Sequence, residues 1–115
     1  MARIEDLEIL FSPSQWSPRL GANVIVQDHV KITSEESKRV RGSIPFKTFS
    51  YGPSDNEKLD IFQPENSSSS NILVYFSGGY WQELSGEISA YPVAPFYQHD
   101  ICVIVVHYDR APKGQ

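Results

Sequence analysis

Ile72-Leu73-Val74-Tyr75-Phe76-Ser77-Gly78-Gly79-Tyr80-Trp81 is the stretch whose reading decides the fold. Five apolar residues stop abruptly at a serine and two adjacent glycines. A short apolar run that ends on turn residues reads as a β-strand. Ile101-Cys102-Val103-Ile104-Val105-Val106 is a second such run. Both are near-continuous rather than alternating, which predicts strands buried on both faces of a parallel sheet. Between them, residues 87–99 have room for a crossover helix that Pro92 and Pro95 keep short or kinked. Strand, Gly-Gly turn, helix and strand compose a βαβ unit of expected right-handed crossover.

Working outward, Phe46-Lys47-Thr48-Phe49-Ser50-Tyr51 and Leu59-Asp60-Ile61-Phe62 alternate and flank the turn cluster Gly52-Pro53-Ser54-Asp55-Asn56. They predict an antiparallel hairpin whose first strand has one wet face. Residues 63–71, with Pro64 and four consecutive serines, read as an exposed loop. Residues 1–45 have a different character. Ile4, Leu7, Ile9, Leu10 and Phe11 suggest a short helix that Ser12-Pro13-Ser14 interrupts, with Ser14 or Ser17 capping a further turn that contains Trp16. Thr33-Ser34-Glu35-Glu36 has capping-box spacing and predicts a helix from about 34 to Val40, ended by Gly42. The fold class is therefore α/β, with a helical and irregular segment over 1–45 and a hairpin plus βαβ unit over 46–115. Only nine residues follow the last strand, and one short helix cannot cover both faces of a parallel sheet. The sheet is thus expected to be incomplete as a domain.

Composition narrows the function. Hydrophobic residues make up 40% and charged residues 21%, an ordinary globular balance. No apolar run approaches the length that spans a bilayer, so no membrane partner is expected. The net charge of −4 argues against a nucleic-acid partner. Lys38, Arg39 and Arg41, beside Glu35 and Glu36, read as a solvated helix face. Cys102 is the single cysteine, so an internal disulfide is excluded. A reducing compartment, cytoplasmic and in addition nuclear, fits that usage. His29, His99 and His107 are scattered without metal-ligand spacing, so no metal site is expected.

The chemistry lies at the Gly-Gly turn. Two glycines after a buried strand allow backbone conformations that a Cβ forbids, and they present N–H groups to a developing anion. A turn chosen only for its geometry is the simpler reading of the two glycines by themselves. The wider context adds to it. Val-Tyr-Phe-Ser-Gly-Gly-Tyr-Trp-Gln (74–82) resembles the His-Gly-Gly-x-Trp motif of α/β-hydrolases. His107-Tyr108-Asp109-Arg110-Ala111-Pro112-Lys113-Gly114 resembles the Tyr-x-x-Ala-Pro segment that follows the next strand. Tyr-Trp-Gln in the first and Ala-Pro-Lys-Gly in the second are similar to the kynurenine formamidase (arylformamidase) family. Phe11 to Ser17, Val40-Arg41-Gly42 and Lys58 to Pro64 add supporting matches.

The resemblance implies the N-terminal part of an α/β-hydrolase sheet. It also implies hydrolysis of N-formyl-L-kynurenine to L-kynurenine and formate, in tryptophan catabolism, with no cofactor. The motif maps onto Ser77, Gly78, Gly79, Tyr80 and Trp81, and its oxyanion hole onto the N–H groups of Gly79 and Tyr80. Trp81 reads as a packing residue of the loop, with the wall of an aryl pocket as the alternative. Ser77 stands where the motif has histidine. It precedes the glycines, whereas the nucleophile of this fold sits on a Gly-x-Ser-x-Gly elbow, and no such elbow occurs in the sequence.

By the chain order of this fold, nucleophile, acid and histidine are all expected beyond Gln115. An improvised Ser77–His107–Asp109 triad is not expected, and Asp109 reads instead as fixing its own loop through local hydrogen bonds. Two other functions fit the same residues. One is a truncated, non-catalytic form that acts by binding, as a homodimer or through an open sheet edge. The other is a carboxylesterase of the same superfamily. The partner of a longer form would be a small-molecule aryl formamide or ester.

Overall fold

The structure, a computed structural model, describes residues 3–79 and 83–114. Tyr80, Trp81 and Gln82 of the motif lie outside the described residues. The chain divides into two compact units, Met1–Ile32 and Thr33–Gln115. That boundary falls inside a helix, whereas the sequence changes character near residue 45.

In the first unit, α1 spans Ile4–Leu10. The Asp6 carboxylate accepts from the Arg3 N–H at 3.2 Å and satisfies one of the free donors at the helix start. A 3₁₀ turn follows at Pro13–Gln15, and the Trp16 indole N–H donates to Ile9 O at 2.8 Å. The Ser17 hydroxyl accepts from the N–H groups of Arg19 and Leu20.

The capping-box reading of Thr33 is corrected by the structure. A single helix, α2, runs over Ala22–Ser43, so Thr33 sits mid-helix and Gly42 lies within its last turn. The buried residues of α2 are Thr33, Ser37 and Val40, one face at helical spacing. Two of the three are polar, so the inner face lacks the apolar stripe by which a helix is recognised. Ser37 is fully buried because its hydroxyl accepts from the N–H groups of Ala90 and Tyr91, both at 3.1 Å. Pro45 soon ends the helix, since the residue before a proline is driven from helical geometry.

The sheet has four strands: β1 (Lys47–Ser50), β2 (Lys58–Phe62), β3 (Ile72–Phe76) and β4 (Cys102–Val106). Their order is β1-β2-β4-β3. β1 and β2 form the expected antiparallel hairpin, and β3 and β4 pair in parallel with Ile72 opposite Cys102 and Phe76 opposite Val106. β2 pairs antiparallel with β4, so the sheet is mixed. The crossover carries a 3₁₀ turn at Gly86–Ile88 and a short helix, α3, at Val93–Gln98. Pro92 caps α3 and Pro95 lies in its first turn, where a missing N–H removes no helical bond.

The core joins Val40 of α2, Phe62 of β2, Ala90 and Val93 of the crossover, and Val103 and Val105 of β4. Two expectations about burial are corrected here. β3 is buried on neither face along its whole length: Ile72, Val74 and Phe76 are exposed, and Leu73 and Tyr75 are half-buried. It is an edge strand, so only β4, flanked on both sides, shows the expected burial. β1 is exposed at every position rather than on one face, because it forms the opposite edge. The loop over 63–71 is as expected, though not loose. Asp100 accepts from the N–H groups of Ser68 and Ser69, and Pro64 is buried.

Candidate functional site

Parallel pairing brings the carboxyl ends of β3 and β4 side by side. The two segments singled out in the sequence, 77–79 and 107–114, therefore leave the sheet at the same end. At Gly79 the backbone has φ +95°, and an added Cβ would lie 2.6 Å from the carbonyl oxygen of Glu83. Only glycine serves there without strain. The turn is closed by the Glu83 N–H donating to Gly79 O at 3.0 Å. Ser77 is buried, and its main-chain carbonyl accepts from the Tyr108 hydroxyl at 2.8 Å. One strand turn earlier, the Tyr75 and Tyr91 hydroxyls bond at 2.6 Å across edge-to-face rings. Burial pushes the Tyr75 phenol up to about 12, and the bond to Tyr91 adds to that, so it stays neutral.

A second cluster, which the sequence reading missed, lies on the core face of β2. Side chains alternate along a strand, so Asp60 shares a face with Phe62, and His107 continues the face of Val103 and Val105. Asp60 is 2% exposed. Its carboxylate accepts from Arg41 Nη1 at 2.7 Å and Thr48 Oγ1 at 2.7 Å, and meets His107 Nε2 at 2.5 Å. Burial, the largest single influence, pushes the Asp60 carboxyl up. The hydrogen bonds from His107, Thr48 and Arg41, with the Arg41 charge, together outweigh it and hold the group well below the usual carboxylate range. An ionised carboxylate only accepts, so His107 Nε2 carries the shared proton.

Arg41 is not the solvated residue expected of a mixed-charge face. Its guanidinium bonds Gly86 O at 2.9 Å and lies 5.2 Å from the centre of the Phe46 ring. Arg39 does stay on the surface, paired with Glu36. Gly86 lies so close to the His107 ring that an added Cβ would sit 2.4 Å from Nδ1. Val40-Arg41-Gly42 and Lys58 to Pro64, far apart in the chain, thus converge on one ion pair. The sequence signal was present: Asp60 lies two residues from Phe62, so its face of β2 is the inner one.

His107 and Asp109 are not brought together as a triad. The His107 ring turns to Asp60, whereas Asp109 accepts from Asn56 Nδ2 at 2.8 Å and pairs with Lys113 at 3.2 Å. Hydrogen bonds from Ser54 and Asn56, with Lys113 adding to them, hold the Asp109 carboxyl down to about 2. It ties the post-β4 loop to the β1–β2 turn, which is the loop-fixing part expected of it, with a partner more distant in sequence. Cys102 is buried, and burial pushes its thiol up, toward an inert form. Among the described residues, no group of histidine, cysteine or carboxylate side chains could hold a metal ion.

A cleft of about 500 Å³ borders the post-β4 loop, lined by Tyr51, Glu57, Tyr108, Asp109, Lys113 and Gly114. This end of the sheet holds the Gly79 turn, the bond from the Tyr108 hydroxyl to the Ser77 carbonyl and the Tyr75–Tyr91 pair. Neither of its serine and histidine candidates is paired with the other.

No protein-family model matches the chain. It is 39% identical over 112 residues to the kynurenine formamidase of Salmo salar and 38% identical to that of Danio rerio, covering 96% of this chain and 38% of each relative. The kynurenine formamidase of Drosophila melanogaster is 26% identical over 119 residues, covering 96% of this chain and 39% of its own. The chain thus spans little more than a third of the length of the curated relatives it matches. Among solved structures, a Silicibacter protein described as a thioesterase superposes with a TM-score of 0.76 at 18% identity. The match covers 91% of this chain and 38% of that one. At that identity the likeness is one of fold alone.

Proposed function

The chain is kynurenine formamidase-like along 96% of its residues, and from this we propose that it forms the N-terminal part of an α/β-hydrolase that hydrolyses N-formyl-L-kynurenine to L-kynurenine and formate. Its contribution is the oxyanion-stabilising loop. The observation that carries the reading is the turn after β3, where Gly79 holds φ +95° beside the carbonyl-anchoring Tyr108. In the proposed reaction a serine nucleophile attacks the formyl carbonyl. The N–H of Gly79, with that of Tyr80 outside the described residues, stabilises the tetrahedral oxyanion in place of water. The nucleophile, acid and histidine belong to the part of the relatives' length that this chain does not span. The reaction needs no cofactor, its partner is a small aryl formamide, and its setting is the cytoplasm.

The 115 residues by themselves are expected to hydrolyse N-formyl-kynurenine no faster than buffer. Turnover abolished by a substitution within this chain would sink the assignment of the triad elsewhere. A version extended to the relatives' length should hydrolyse N-formyl-kynurenine in preference to short aryl esters. The reverse preference would make it a carboxylesterase of the same fold. A non-catalytic binding role is favoured by one observation, the exposure of Ile72, Val74 and Phe76 on an edge strand. Sedimentation tests it: a monomer at all concentrations counts against pairing through that edge.

A further inference from the structure

We propose that Tyr108 is a positioning residue for the glycine turn, and that it acts through the main-chain carbonyl of residue 77 rather than through that residue's side chain. The inference rests on reading the turn as an oxyanion-stabilising loop. A peptide unit is planar, so the Ser77 carbonyl and the Gly78 N–H share one rigid plane. The Tyr108 hydroxyl donates to that carbonyl at 2.8 Å and thereby sets the direction of the Gly78 N–H. At the other end of the turn, the Glu83 N–H holds Gly79 O at 3.0 Å. The Gly78–Gly79 peptide is therefore suspended between two anchored carbonyls.

Tyr108 is itself a rigid strut, because the residue before it is fixed at three points. The His107 N–H donates to Lys58 O at 2.9 Å, its carbonyl accepts from the Tyr51 hydroxyl, and its ring meets Asp60 at 2.5 Å. This gives the serine at position 77 a physical account. Support delivered to a carbonyl is available whatever side chain residue 77 carries, so the imidazole of the motif is not needed to hold the turn.

The test is backbone ¹⁵N relaxation and amide exchange on the labelled 115-residue chain, comparing wild type, Y108F and S77A. Wild type and S77A should both give order parameters near 0.85 at Gly78 and Gly79. Y108F should drop them below about 0.6, with the Glu83 amide exchanging about tenfold faster. The amides of Val103 and Val105 in β4 should stay at wild-type values in all three. An ordered turn in Y108F, or an equal loss of order in β4, overturns the proposal. So does a turn loosened by S77A. A sodium formate titration separates this from the function it rests on. Order lost in Y108F without any formate-induced shift of the wild-type Gly79 amide would uphold the positioning role and count against the oxyanion reading.

Discussion

Asp60 and Phe76 sit on the same four-stranded sheet and invert the usual rule. The carboxylate is 2% exposed, whereas the phenylalanine is 61% exposed. The difference lies in what each strand has beside it. β2 has a neighbour on each side and α2 above its core face, from which Arg41 reaches the carboxylate. β3 has a neighbour on one side only. Burial at the centre follows from partners that satisfy a charge, and exposure at the edge from the absence of a covering strand among the described residues. Hydropathy decides neither by itself.

The largest expected effect comes from breaking the buried side of that contrast. Asp60→Ala leaves Arg41 and His107 without their carboxylate, and a buried pair broken from one side costs about 3–5 kcal/mol. Urea denaturation measures it. A loss under 1 kcal/mol would mean that water reaches the cluster freely. Acid should act on the same group more gently. The folded-state pKa of Asp60 is depressed, so its contribution is present above its unfolded value near 3.9 and is lost as pH falls through the lower folded value. The urea midpoint of the wild type should therefore decline below about pH 4, and Asp60→Asn should flatten that decline. A parallel decline in the two proteins would remove Asp60 from the acid response.

Smaller effects probe the apolar residues. Val105→Ala in β4 deletes two fully buried methyl groups and should cost about 2 kcal/mol. Phe76→Ser in β3 should change stability by less than about 0.5 kcal/mol, as surface substitutions do. A loss above 1 kcal/mol that grew with protein concentration would show the edge strand covered by another copy in solution, and the comparison would fail on its exposed side.

The hairpin, the parallel pairing of β3 with β4 and the short crossover helix were legible because each rests on local signals: alternation, apolar runs bounded by turns, and prolines. The glycine turn was legible through Gly79, whose conformation demands that residue type. Three features were not. The extent of α2 was hidden because its inner face carries the polar residues Thr33 and Ser37, and Ser37 is made compatible with burial by the hydrogen bonds its hydroxyl accepts. The exposure of β3 is not written in its own residues, because an apolar run does not state whether it lies at the centre or the edge of a sheet; only the strand order of the resembled fold signalled an open edge there. The Asp60 cluster was hidden because its partners are remote in the chain: Asp60 shares its face with Phe62, but only tertiary contact supplies Arg41 and His107.

The in-register pairing of Phe76 with Val106 makes the sheet a ruler for the loops that leave it. A slip of one residue between β3 and β4 would move the chain about 3.3 Å and turn every β3 side chain to the opposite face. Tyr108 would then miss the Ser77 carbonyl by more than the length of a hydrogen bond. Segments that read as separate words in the sequence are thus spelled correctly only together, and the spacing that matters is counted across the strands, not along the intervening chain.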